Sequence, residues 1–170
     1  PTKAGVFSAT VINFGYSLYQ ENKFGLAFAR SFGDKFSAGL QLDMMTYSIG
    51  EGYGNTSLIT FEAGFLYKAT EELTIWSHVF NPIQSQIADY NEEKLPTIIK
   101  LGVSYKLSDN AVALAEAEKD VIHTPVLRTG IEYMIFKETF VRIGYSNIPP
   151  AMEAEHITGS SAFAFGFGMR

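Results

Sequence analysis

The sequence predicts an all-β fold, an antiparallel meander forming a transmembrane β-barrel, with about ten strands visible along its 170 residues. Three observations predict it. A short phrase recurs, in which glycine is followed by an apolar residue, any residue, and then an aromatic or apolar one. It reads Gly25-Leu26-Ala27-Phe28, Gly39-Leu40-Gln41-Leu42, Gly64-Phe65-Leu66-Tyr67, Gly102-Val103-Ser104-Tyr105 and Gly130-Ile131-Glu132-Tyr133, with shorter forms at Gly144-Tyr145 and Gly166-Phe167. Successive side chains of a strand alternate faces, so each phrase sets bulky apolar groups against glycine and small or polar residues. Several alternating segments also run about 9–11 residues or more, the length a tilted strand needs to cross hydrocarbon, against about 5–6 in soluble sheets. Finally, tight turns alternate with longer connections, as in outer-membrane barrels.

The expected strands are 6–18, 23–33, 35–48, 57–69, 73–81, 97–107, 111–119, 126–136, 139–146 and 161–169. Tight turns are expected at Gly33-Asp34, Thr70-Glu71-Glu72, Ser108-Asp109-Asn110 and Lys137-Glu138, and longer connections at 49–56, 83–96, 120–125 and 147–160. In 35–48 the apolar row is Phe36, Ala38, Leu40, Leu42 and Met44, opposed by Ser37, Gly39, Gln41 and Asp43. In 97–107 it is Ile99, Leu101, Val103, Tyr105 and Leu107, and in 161–169 it is Phe163, Phe165, Phe167 and Met169. Segment 73–81 breaks the pattern, because Ile75, Trp76, Val79 and Phe80 fall on both faces, as if both were covered. The Ala-rich run 111–115 leaves the faces of Glu116 and Glu118 open.

Charged residues make up 18% of the chain, below the roughly 25% of ordinary soluble domains. There is no cysteine, hence no disulfide framework and no thiolate metal site. A net charge of -5 without a basic run gives no footprint for nucleic acid, so no nucleic-acid partner is expected. No run of about 18 apolar residues forms a transmembrane helix. Pro1-Thr2-Lys3-Ala4 leads straight into strand-like sequence and Phe163–Arg170 stops within an alternating run, so the chain reads as a piece of something longer, a single barrel domain lacking strands at both ends.

Strand charges fall mostly on the glycine side: Asp43, Glu62, Lys100, Arg128, Glu132 and Arg142 are the candidate lumen-facing polar residues. Acids and bases of neighbouring strands would meet across the ladder there. Glu132 and Arg142 are expected to pair, since one tight hairpin joins their strands. Such a row fits either internal neutralisation or solute selectivity. Tyr16, Tyr19, Tyr47, Tyr67, Tyr105 and Tyr145 lie near strand ends, where they suit an interfacial girdle or a core edge. Catalytic patterns are poor. His78, His123 and His156 have no metal-ligand spacing, and Ser77 and His78 are neighbours pointing to opposite faces. Gly166 and Gly168 begin a dinucleotide fingerprint that has no third glycine and no helix. No catalytic residue, metal or cofactor is expected, and the chain is not read as an enzyme.

Several phrases taken in order carry a resemblance: Asp34-Lys35-Phe36-Ser37-Ala38-Gly39-Leu40, Phe80-Asn81-Pro82, Leu95-Pro96 before Lys100-Leu101-Gly102-Val103-Ser104-Tyr105, and Arg128-Thr129-Gly130-Ile131-Glu132-Tyr133 before Phe140-Val141-Arg142-Ile143-Gly144-Tyr145. Together they resemble the outer-membrane barrels of the long-chain fatty-acid transporter superfamily, in the branch that includes the PorV and PorQ proteins of the type IX secretion system. The resemblance implies a barrel of about fourteen strands with an N-terminal segment plugging its lumen, within the even-numbered range of bacterial barrels. It also implies location in the outer membrane of a Gram-negative bacterium, contact with membrane lipid, and transport of hydrophobic small molecules or handling of secreted protein cargo. The alternative from the residues alone is a soluble β-barrel or sandwich binding a lipid-like ligand.

Overall fold

A computed structural model of the chain describes residues 5–50, 54–86, 94–121, 124–136, 138–148 and 160–169. They form β1 (Val6–Tyr16), β2 (Tyr19–Phe32), β3 (Phe36–Ile49), β4 (Gly54–Lys68), β5 (Leu73–Phe80), β6 (Ile98–Ser108), β7 (Ala111–Asp120), β8 (Val126–Phe136), β9 (Thr139–Ile148) and β10 (Ser160–Met169). Their hydrogen-bonded order follows the sequence from β1 to β10, so the fold is an antiparallel meander of ten strands. Each expected segment falls on one of them. The expected long connections and the Lys137-Glu138 turn lie partly outside the described residues, as do His123 and His156.

The first hairpin corrects the sequence reading. Strands β1 and β2 meet at a tight turn through Ser17 and Leu18, with Tyr16 opposite Tyr19, where the sequence left 19–22 out of any strand. The polar run there belongs to the strand because Tyr19, Glu21 and Asn22 have partners suited to them. Asn22 lies opposite Asn13, and their amides hydrogen-bond, while Tyr19 donates to Glu21 on the same face. Polar residues spell a loop only where nothing across the ladder receives them.

The chain divides into two compact units, residues 1–65 with 78–98 and residues 66–77 with 99–170. In the first, the expected apolar row of β3 is exposed, with Leu40 at 55% and Leu42 at 57%, whereas Asp43, Met45 and Tyr47 on its other face are buried. The apolar cluster of this unit is Met45, Tyr47, Leu58 and Leu95, with Tyr19 and Phe80 packed against it. Tyr47 and Tyr19 therefore lie on the glycine side, and neither belongs to an outward girdle. In the second unit the row Phe163, Phe165, Phe167 and Met169 is exposed, Phe165 at 78%. All eight residues of β5 are half-buried, as its mixed pattern implies.

Mid-strand glycines make room for large neighbours. A Cβ on Gly25 would fall 2.6 Å from Asp43 Oδ1 and 2.7 Å from Gln41 Nε2, and one on Gly102 would overlap the Trp76 indole. At Gly166 the nearest atom, Arg142 Cβ, would be 3.5 Å away, which is ordinary contact. Gly102→Ala is thus expected to lower folding stability by about 1–3 kcal/mol through overpacking, with Gly166→Ala nearly neutral. Urea titrations of the two variants check this, and equal midpoints would refute the packing account.

Candidate functional site

The glycine-side face of the first unit carries a charged row built from four successive strands. Lys23 on β2 sits between two carboxylates: its Nζ is 3.1 Å from Asp43 Oδ2 on β3 and forms an ion pair with Glu62 on β4. Glu62 also meets His78 on β5, with Nε2 2.7 Å from Oε2. Gln41 donates to Asp43 Oδ1 at 2.8 Å. Lys23 additionally lies over the Phe80 ring, 5.1 Å from its centroid. Since β3 and β4 separate β2 from β5, side chains of this face converge, as they do on a concave surface.

The second unit carries two further groups. Arg128 on β8 bonds Glu116 at 2.7 Å and Glu118 at 2.8 Å on β7, and Lys100 on β6 reaches Glu118 at 3.1 Å. Glu132 stands directly opposite Arg142, and Arg142 Nε donates to its carboxylate. The expected pairing of these two residues is what the register brings about. At the β6–β7 turn the Lys106 ammonium donates to Asp109 at 2.7 Å, and that hydrogen bond together with the charge holds the carboxyl below its ordinary range. Asp109 is fully exposed, so the pair contributes little.

All six sequence candidates lie on the glycine side of their strands. Asp43 and Glu62 join one group, Lys100 and Arg128 a second, and Glu132 and Arg142 a third. Lys23, which the sequence reading did not name, and His78, Glu116 and Glu118, which it named without placing them in a group, complete these groups. A signal for Lys23 existed, because it shares the parity of Gly25. The face of Glu116 and Glu118 is decided by Arg128, which lies directly opposite Glu116.

The groups mostly satisfy one another, although the buried Asp43 Oδ2 has the Lys23 ammonium 3.1 Å away as an ion-pair partner and no hydrogen bond. Ser77 Oγ donates to the Lys100 carbonyl at 3.1 Å, while His78 is engaged by Glu62. Among the described residues no three His, Cys, Asp or Glu side chains are placed to hold a metal ion. Comparison with protein-family models, with curated proteins and with solved structures finds no match to this chain.

Burial separates the groups energetically. Asp43 is 0% exposed, whereas the Glu132 and Arg142 side chains are 31% and 55% exposed. Lys23→Met would leave two carboxylates facing each other, one without water, and is expected to cost about 3–5 kcal/mol, the range for breaking a buried pair. Asp43→Asn keeps the Lys23–Glu62 pair and should cost less. A double-mutant cycle of Glu132→Gln with Arg142→Gln should give about 0–1 kcal/mol of coupling. Denaturant unfolding measures all three, and coupling at Glu132–Arg142 as large as the loss at Lys23 would overturn the ranking.

Proposed function

We propose that the chain is part of an outer-membrane β-barrel of a Gram-negative bacterium, resembling the PorV and PorQ branch of the long-chain fatty-acid transporter superfamily. It moves hydrophobic solutes or handles secreted cargo and carries out no chemistry. One observation carries this reading: bulky apolar rows stand exposed on the strand faces opposite the charged groups. Patches of that kind on a monomer in water would drive association, whereas hydrocarbon receives them without cost. Ion-paired charges on the opposite face suit a confined interior.

Further support comes from strand length and from Arg30, a charge that departs from the glycine-side pattern. Strands β1 to β4 run 11, 14, 14 and 15 residues, at or above the roughly 9–11 a tilted transmembrane strand needs. Arg30, on the apolar side of β2 close to the β2–β3 turn, lays its guanidinium over the Phe32 ring, 5.8 Å from the centroid. A long cation near a strand end beside an aromatic ring is how side chains meet a headgroup layer. No helix among the described residues is long and apolar enough to cross a membrane.

The native full-length protein should fractionate with outer membranes and migrate differently on gels when unheated in detergent. Clean solubility without detergent would replace this reading with the soluble lipid-binding one. Arginine at Leu40, Val103 or Phe165 is expected to cost about 2–4 kcal/mol if the position lies at the bilayer midplane, and the same change at Ser37 or Ser104 less. Folding titrations into detergent or lipid vesicles read the difference, and equal tolerance on both faces would show the faces to be misassigned.

A further inference from the structure

The connection leaving β5 does not simply run on to β6. Its two described stems, 81–86 and 94–97, are tied to each other and to β4. Asn81 is the hub, fully buried with a left-handed φ of 49°. Its side chain accepts from Thr60 Oγ1 at 2.7 Å and from Ser85 N at 3.0 Å, and donates to the Leu95 carbonyl at 2.7 Å. Its backbone N–H donates to the Phe61 carbonyl at 3.0 Å, while Thr97 Oγ1 donates to its carbonyl at 2.7 Å. Leu95 N bonds back to the Ser85 carbonyl at 2.9 Å, closing the stems on each other.

These bonds press Leu95 onto Met45, Tyr47 and Leu58. Among the described residues these four are the buried hydrophobic ones, so deep apolar burial occurs where the stems lie. Thr60, their polar neighbour, is fully buried as well. A loop serving only to join two strands would stay on the surface with its backbone in water. The described stems, though exposed at Pro82–Gln84 and at Lys94 and Pro96, bury Asn81 and Leu95, give Asn81 protein partners and cover a patch of the glycine-side face.

We propose that the stems form a fixed strap, locked by Asn81 and anchored by Leu95, which closes this part of the glycine-side face to water and polar solutes. That the covered face is the wall of a lumen rests on the barrel reading. The sealing of the patch does not. Hydrogen bonds to a buried amide fix a segment because each lost partner leaves a desolvated group behind, so removing the hub should release the strap while leaving the strands paired.

The chain contains no cysteine, which allows single-site thiol labelling. The full chain in lipid vesicles would carry Met45→Cys beneath the strap, or Leu40→Cys on the opposite face of β3, and be treated with a membrane-impermeant maleimide. Met45→Cys should react slowly with the native strap, and at least about tenfold faster when combined with Asn81→Ala or with Leu95→Ala, since local opening sets the rate. Leu95→Ala removes only the apolar anchor and serves if Asn81→Ala fails to fold, as judged by circular dichroism. Rates at Met45→Cys that do not change in the folded variants overturn the strap. Rapid labelling of Leu40→Cys in vesicles sinks the barrel reading instead, and leaves the strap result standing.

Discussion

Two mid-strand glycines, Gly25 and Gly102, leave the space in which large side chains of the glycine side lie. Asp43 and Gln41 occupy the space a Cβ on Gly25 would take, and the Trp76 indole occupies that over Gly102. A glycine within a strand sacrifices packing and conformational entropy, so its recurrence calls for a compensating gain. Here the gain is the ion-paired row: a Cβ on Gly25 would fall on Asp43 Oδ1 and displace the carboxylate that faces Lys23. The same residues that weaken the strands singly allow charges to be stored on one face and keep the other free for bulky apolar rows.

The charged row does not explain stability in the way a hydrophobic core would. Desolvating two ions costs several kcal/mol, and their attraction recovers this only with good geometry and satisfied hydrogen bonds. Lys23 faces both carboxylates and Gln41 adds a neutral donor, so one cation is shared between two anions, and exchanging the row for apolar side chains of equal volume is often neutral or stabilising. What the row contributes is register. Shifting a strand by one residue would carry Asp43 or Glu62 to the apolar face, a far costlier placement than any lost ion pair. Pairing across four strands thereby selects one alignment among those the repetitive glycine phrases permit.

Much of this was legible in the sequence because alternation is a local property. The apolar rows of 35–48, 97–107 and 161–169 are the exposed ones, and the opposition of Glu132 to Arg142 followed from counting around one hairpin. What the sequence concealed depends on contacts between strands distant in the chain. Lys23 meets Glu62 across an intervening strand, so no hairpin count reaches it. Tyr47 looks like a girdle residue until Leu95's neighbour cluster is known, because parity alone does not say that a distant connection returns to cover it. Asn81 was visible only as the close of a strand, since nothing local announces that its amide will bind both stems of a loop.

The charged row and the strap meet along the strands themselves. On β3 the glycine-side positions pass from Asp43 to Met45 to Tyr47, and on β4, running the other way, from Glu62 to Thr60 to Leu58. Strand β2 follows with Lys23, Glu21 and Tyr19. Each strand thus grades from charge to an apolar or aromatic residue toward the end where Leu95 packs. An apolar, water-poor region beside an ion pair lowers the local dielectric, which strengthens the attraction and raises the cost of leaving either partner alone. By excluding water from Met45, Tyr47 and Leu58, the strap therefore also tightens the dependence of Asp43 on Lys23, and the two features act as one unit although no hydrogen bond needs to join them.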